Sequence, residues 1–204
     1  QTYESRYHDL GLYASQINIP VEKVWEDNND QDGLRPQSVT VKLLADGNDT
    51  EKTLTLNAGN NWRGTFSELD KYENGREVTY TIEEVSVTGY ETEISGSSST
   101  GFTITNTHTP ETVTLSGAKT WNDANDQDGK RPSSITIRLY ANGVELKDKA
   151  VSVTADDDWK WSFAGLPKYE DGSEIKYTIT EDTVDGYTPA YNGFNVTNTY
   201  TPEQ

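Results

Sequence analysis

The stretch KVWEDNNDQDGLRPQSVTVKLLADG, residues 23–47, decides the fold. Within it, Val39, Val41 and Leu43 alternate with polar residues, which is the two-residue period of a half-buried β-strand. Turn-forming Gly, Asn, Asp and Pro residues flank this run on both sides. The stretch therefore predicts a strand with one face in a core, preceded by a tight acidic loop.

The same stretch occurs a second time, as KTWNDANDQDGKRPSSITIRLYANG at residues 119–143. The correspondence continues through four further pairs of motifs: NNWRGTF (60–66) with DDWKWSF (157–163), LDKYENG (69–75) with LPKYEDG (166–172), YTIEEVSVTGY (80–90) with YTITEDTVDGY (177–187), and FTITNTHTPE (102–111) with FNVTNTYTPE (194–203). A period of about 95 residues is too long for a solenoid repeat and is typical of a duplicated domain.

We therefore predict an all-β chain of two tandem Ig-like sandwiches, residues 17–109 and 110–204, each with about seven strands. Residues 1–16 have no counterpart in the second copy. They are a remnant of a preceding domain, an added peptide or a strand that docks on the first module, and the sequence does not choose among these.

Composition excludes several classes of function. The 204 residues carry a formal net charge of −17, which disfavours binding to nucleic acid or to an anionic membrane. There is no Cys, so disulfides, thiolate metal sites and Cys nucleophiles are excluded. We predict no cofactor and no metal.

One loop motif bears on that prediction. Asn28, Asp30, Asp32 and Gly33 begin like a calcium-binding EF-hand loop, but Val39 stands where the bidentate Glu is required. Asx-turns and a tight Asp-Gly turn explain these residues as well, so calcium is the less favoured reading.

Strand alternation places three polar residues on the inward face of each copy. Lys23 shares parity with Ile19 and Val21 in the first strand, which places it on the inward face. The same argument places the remaining polar residues of both copies on the inward faces of their strands. The first copy contributes Lys23, Glu84 and Asn106, and the second Lys119, Glu181 and Asn198. Because an unpaired buried ion costs several kcal/mol, we expect the three side chains of each copy to meet.

Such a trio has a definite chemistry. Burial lowers the pKa of a lysine and raises that of a carboxyl, so a buried pair favours a neutral amine beside a protonated acid. The amine is then a nucleophile for the Asn carboxamide, and the acid polarises the carbonyl and carries the proton to departing ammonia. The alternative is a buried salt bridge with hydrogen bonds and no bond-making.

These residues and motifs resemble the B-repeat (CnaB-type) domains of Gram-positive surface adhesins and pilins over nearly all of residues 17–204. The matching motifs are K-x-W, N-D-Q-D-G-x-R-P, K-Y-x-x-G, Y-T-I-x-E and x-T-N-T-x-T-P, each found twice. The resemblance implies an inverse-Ig sandwich with a self-formed Lys–Asn isopeptide bond. The crosslinks would be Lys23–Asn106 and Lys119–Asn198, with Glu84 and Glu181 as catalytic acids. Glu83 adjoins Glu84 where the second copy has Thr180, and parity favours Glu84.

The resulting hypothesis is a structural stalk of a Gram-positive adhesin or pilus protein, not an enzyme beyond a single self-crosslinking turnover. It would be extracellular and anchored to the cell wall, with the signal peptide and anchor outside this sequence. Its partners would be neighbouring domains of the same protein, with host matrix protein or glycan bound through other domains. The alternative is an adhesin module that itself recognises matrix protein or glycan. A glycosidase is disfavoured because the duplicated acids point into a core.

Overall fold

The computed structural model describes residues 15–203. The N-terminal segment 1–16 therefore lies outside the described residues, apart from Ser15 and Gln16. The chain divides into two compact units between Thr109 and Pro110, called module 1 and module 2 below. No helical segment within residues 15–203 has the length and apolar character needed to cross a membrane.

From Gln16 onward, the described part of module 1 consists of strands, loops and a short 3-10 turn at Ala58–Asn60. Seven strands are longer than two residues, and β5 and β6 form a minimal hairpin. The bounds are β1 (Gln16–Glu26), β2 (Ser38–Ala45), β3 (Asn48–Asn57), β4 (Arg63–Asp70), β5 (Tyr72–Glu73), β6 (Arg76–Glu77), β7 (Tyr80–Glu84), β8 (Glu91–Ser97) and β9 (Gly101–Thr107).

The module 1 strands form two main sheets, ordered β4-β1-β9-β8 and β3-β2-β7. The first and last strands are neighbours: β1 pairs with β9 in parallel, with Lys23 opposite Ile104 and Trp25 opposite Asn106. The other pairings in these two sheets are antiparallel. The two ends of the module's chain are therefore joined by a single ladder of hydrogen bonds.

Module 2 repeats this plan, with its first and last long strands again parallel and adjacent in the order β14-β10-β19-β18. In the second sheet, β11 pairs with β17 and with two short strands, β12 and β13. The 3-10 turns are Lys147–Lys149 and Ala155–Asp157. The bounds are β10 (Thr112–Asn122), β11 (Ser134–Ala141), β12 (Val144–Glu145), β13 (Val151–Thr154), β14 (Lys160–Pro167), β15 (Tyr169–Glu170), β16 (Ser173–Glu174), β17 (Tyr177–Glu181), β18 (Thr188–Asn192) and β19 (Asn195–Thr199).

Each module has its own hydrophobic core between its two sheets. Alternation explains its composition, because three alternate residues of β2 and three of β11 are buried, including Val41 and Leu43 in β2 and Ile137 and Leu139 in β11. The prediction of two tandem all-β sandwiches is confirmed.

The two cores fill one equivalent position differently. In module 1, Val21 of β1 lies opposite Gly64 of β4, whereas in module 2 Gly117 of β10 lies opposite Trp161 of β14. A Cβ on Gly117 would lie 1.7 Å from the Phe194 carbonyl oxygen and 2.5 Å from Trp161 Nε1. The Phe194 backbone and the Trp161 indole together therefore leave room only for glycine at position 117.

Candidate functional site

Strand alternation positions the three polar side chains of module 1. Lys23 lies on β1, Glu84 ends β7 and Asn106 lies on β9, and all three are buried. Glu84 has a side chain only 1% exposed, while its neighbour Glu83 is on the exposed side of the same strand. The three residues come from the first, seventh and last strands of the module and meet between the two sheets.

The Glu84 carboxylate bridges the other two side chains. Lys23 Nζ donates to Glu84 Oε2 at 2.5 Å, and Asn106 Nδ2 donates to Glu84 Oε1 at 2.8 Å. Asn106 Oδ1 is buried and has no hydrogen-bond partner within the described residues. The amine and the carboxamide therefore share one acid, and the amide oxygen has unused hydrogen-bonding capacity at a buried position.

Aromatic packing closes the site around the amine. The Trp25 ring lies 4.6 Å from Lys23 Nζ and packs edge-on against Trp62 and Tyr90. Burial lowers the pKa of Lys23 below its ordinary value, although the hydrogen bond and charge of Glu84 oppose this shift. The K-x-W motif therefore supplies both the amine and the ring that shields it from water.

Module 2 pairs the corresponding lysine and acid and buries the corresponding Asn198, but no hydrogen bond joins Asn198 to Glu181 in the described part of the chain. Lys119 and Asn198 are buried, and the Lys119 ammonium contacts Glu181 Oε1 in a short ion pair. The Trp121 ring lies 4.6 Å from Lys119 Nζ, and burial again lowers the pKa of that lysine. Asn198 Oδ1, like its counterpart, is buried without a hydrogen-bond partner among residues 15–203.

A second buried cluster was missed by sequence reasoning. Asp27 accepts hydrogen bonds from Arg35 Nε and Nη2 at 3.0 and 2.6 Å, and from the Tyr90 hydroxyl at 2.7 Å. Module 2 has the same arrangement around Asp123. The signal was the recurrence of Asp and Arg at a spacing of eight residues in both copies.

This cluster shapes the acidic loop. Asp27 Oδ1 also accepts from the Asp30 backbone N–H, and Asn28, Asn29 and Asp30 are three consecutive residues in the left-handed region. Burial raises the pKa of Asp27, but the hydrogen bonds from Arg35, Asp30 and Tyr90 outweigh it and lower the pKa to about 2. The loop is thus held by a structural ion pair.

The same loop carries the residues that begin like a calcium-binding EF-hand loop. Within residues 15–203, no group of three or more acidic or histidine side chains is arranged to hold a metal ion. Asp30 Oδ1 instead accepts from the Arg35 backbone N–H at 2.9 Å, and Asp32 Oδ2 contacts His108 Nε2 at 2.7 Å. The acidic side chains contact neighbouring protein groups.

Fold and site together define a class: tandem β-sandwich modules whose parallel first and last strands each contribute to a buried lysine–acid–amide trio. The model of the Cna protein B-type domain matches residues 19–107 and 115–199. The chain belongs to this family, and the resemblance seen in its motifs is confirmed.

Two relatives illustrate the family. The chain is 46% identical over 188 residues to a collagen adhesin of Staphylococcus aureus, covering 92% of this chain and 16% of that protein. It is also similar to the crystal structure of two B repeat units (B1B2) of the collagen binding protein Cna of Staphylococcus aureus, with a TM-score of 0.81 and 44% identity. That match covers 92% of this chain and 50% of the other. The chain thus spans about one sixth of the adhesin's length.

Proposed function

We propose that the chain is a stalk segment of a Gram-positive cell-surface adhesin or pilus protein, stiffened by a Lys–Asn isopeptide bond in each module. The observation that carries this proposal is the shared acid, since Glu84 contacts both the Lys23 amine and the Asn106 carboxamide, and all three residues are buried. Lys119, Glu181 and Asn198 would act in the same way in module 2.

The first step is a proton transfer within the buried ion pair. Lys23 Nζ gives a proton to Glu84 along their 2.5 Å hydrogen bond, which leaves an uncharged amine beside a carboxylic acid. Burial favours the neutral pair, because the proton transfer removes two charges from a medium that solvates them poorly. The lowered pKa of Lys23 supports the same direction of transfer.

The second step activates the carboxamide. Rotation of the Asn106 amide by half a turn exchanges Nδ2 for Oδ1 at Glu84. A half turn of the Glu84 carboxyl brings Oε2, which received the Lys23 proton, to that oxygen, so that the carboxyl donates to the carbonyl oxygen. Asn106 Oδ1 has no hydrogen bond to give up in this rotation, because it has no partner within the described residues. A hydrogen bond to this oxygen stabilises the negative charge that develops on it during attack.

The bond-forming step needs no outside reagent, because the three side chains supply every atom and proton that it uses. Lys23 Nζ attacks Asn106 Cγ, the Nζ–Cγ bond forms and the Cγ–Nδ2 bond breaks. A proton from the amine passes through the Glu84 carboxyl to Nδ2, which leaves as ammonia. The products are a secondary amide and one molecule of ammonia.

The topology supports a mechanical role. Because β1 and β9 are parallel neighbours, tension on the chain ends shears one strand past the other. A covalent bond between these strands would carry that load directly and bypass the strands between them. We extend this to the whole protein: an extracellular, wall-anchored stalk that joins neighbouring domains, while other domains bind matrix protein or glycan.

Intact-mass measurement tests the crosslinks. Each bond releases one ammonia, about 17 Da, so the chain should weigh about 34 Da less than its sequence. A mass equal to the unmodified sequence would leave two buried salt bridges and remove the crosslink from the proposal. Peptide mapping then assigns each deficit, expected at Lys23–Asn106 and Lys119–Asn198.

A further inference from the structure

The edge strand β8 places a hydroxyl on the acid of module 1. Thr92 lies opposite Asn106 in the β8–β9 ladder, so both side chains point to the same face of the sheet. Thr92 Oγ1 donates to Glu84 Oε1 at 3.2 Å, and that oxygen also accepts from Asn106 Nδ2. Although Thr92 itself is exposed, its hydroxyl reaches a carboxylate whose side chain is 1% exposed.

Module 2 supplies a hydroxyl to its acid by another route. Pro189 takes the position of Thr92, opposite Asn198 in the β18–β19 ladder, and proline has no hydroxyl. Two residues further on, the Tyr191 hydroxyl accepts a hydrogen bond from the backbone N–H of Glu181 at 2.9 Å. Module 1 has Ile94 at that place in its ladder. Each module therefore links its glutamate to the edge strand through one hydroxyl, at the carboxylate of Glu84 in module 1 and at the backbone N–H of Glu181 in module 2.

We infer that Thr92 and Tyr191 are positioning residues for the crosslinking reaction; this inference rests on the proposed function. A hydroxyl both donates and accepts, so Thr92 keeps its contact with Glu84 when the carboxylate becomes a carboxyl. It holds Oε1 beside the Asn106 amide throughout the proton transfer. Tyr191 instead fixes the backbone from which the Glu181 side chain projects.

Positioning matters here because the reaction is intramolecular. Its rate depends on how often amine, acid and amide are aligned, and a misplaced group loses much of that advantage. Glu84 ends β7, which is an edge strand of its sheet, so its backbone is paired with a neighbouring strand on one side only. A hydroxyl from the facing edge strand adds a third hydrogen bond to those that its carboxylate makes with Lys23 and Asn106.

The test measures crosslinking rates in the full chain. Protein made by cell-free synthesis is quenched in acid at set times after translation stops, and tryptic mapping quantifies the Lys23–Asn106 and Lys119–Asn198 linkages separately. Thr92→Val should slow bond formation in module 1 by roughly three- to tenfold, as expected for loss of one hydrogen bond. Thr92→Ser should restore the rate, because it returns the hydroxyl.

The two modules serve as internal controls for each other. Thr92→Val should leave the module 2 rate unchanged, and Tyr191→Phe should slow module 2 alone. Ser95→Ala removes an outward-facing hydroxyl from the same strand β8 and should change neither rate.

Two outcomes separate this inference from the proposed function. A wild-type chain with no linkage in either module contradicts the proposed function itself. A wild-type chain that crosslinks, together with a Thr92→Val rate equal to wild type, overturns only the positioning role. A rate that falls in Thr92→Val and stays low in Thr92→Ser also overturns it, because the defect would then follow side-chain shape.

Discussion

Replacing Glu84 by Gln should prevent the crosslink in module 1 while keeping the shape of the side chain. Glutamine can still hydrogen-bond to Asn106, but it cannot take a proton from Lys23 or pass one to the departing nitrogen. The mass deficit of the chain should therefore halve, from about 34 to about 17 Da. The remaining deficit should map to Lys119 and Asn198.

The stability change follows from the loop that the bond would close. Lys23 and Asn106 enclose about 80 residues, and an entropic estimate for a covalent closure of that length is about 4.5 kcal/mol. For a domain of this size, each kcal/mol corresponds to about 4 to 8 °C, so module 1 should melt about 20 to 35 °C lower. Calorimetry should resolve it as a separate transition below that of module 2.

Glu83→Gln is the matched control, because it removes the same charge from the adjacent, exposed position of β7. It should keep the full mass deficit and a melting temperature within a few degrees of wild type. A Glu84→Gln chain that retains both linkages would show that another group acts as the acid. A chain that loses the linkage but melts like wild type would refute the loop-closure account of stability.

Two other predictions concern features outside the trio. Because the pKa of Asp27 is lowered in the folded state, its contribution to stability is present above about pH 4 and should fall by about 2 kcal/mol as the pH drops towards 2. Asp27→Asn should lower the stability of module 1 at pH 6 and flatten this pH dependence. If the variant unfolds with the same pH profile as wild type, the ion pair does not have this role. Gly117→Val should destabilise module 2 by about 3 kcal/mol, because its Cβ would lie 1.7 Å from the Phe194 carbonyl oxygen and 2.5 Å from Trp161 Nε1. Adding Trp161→Gly removes the second contact and leaves the first, so most of the loss should remain; full recovery in chemical denaturation would show that the indole alone requires the glycine.

Strand alternation made much of the fold and the trio predictable from sequence. In the strands that carry Lys23, Glu84 and Asn106, parity assigned each polar side chain to the face on which the structure has it. Duplication strengthened the argument, since the same assignment arose independently around Lys119. The choice of Glu84 over Glu83 needed nothing beyond the two-residue period.

Other features depend on contacts that alternation does not specify. The Asp27–Arg35 pair lies in a loop whose consecutive left-handed residues bring the arginine back onto the aspartate, and several neighbouring acids compete for that partner in the sequence. Thr92 lies on an exposed edge strand without an apolar pattern, so its register against Asn106 was not fixed. The partners of edge strands and loops follow from tertiary packing.

Module 1 pairs Val21 with Gly64 across its strands, whereas module 2 pairs Gly117 with Trp161. This difference bears on how two similar neighbouring modules fold from one chain. Tandem homologous domains risk trading strands while they fold. If β1 paired with β14, Val21 would meet the indole of Trp161, and if β10 paired with β4, two glycines would face each other across an unfilled space. At this position, a first strand exchanged between the modules would therefore lose the match of large and small residues that each native pair has.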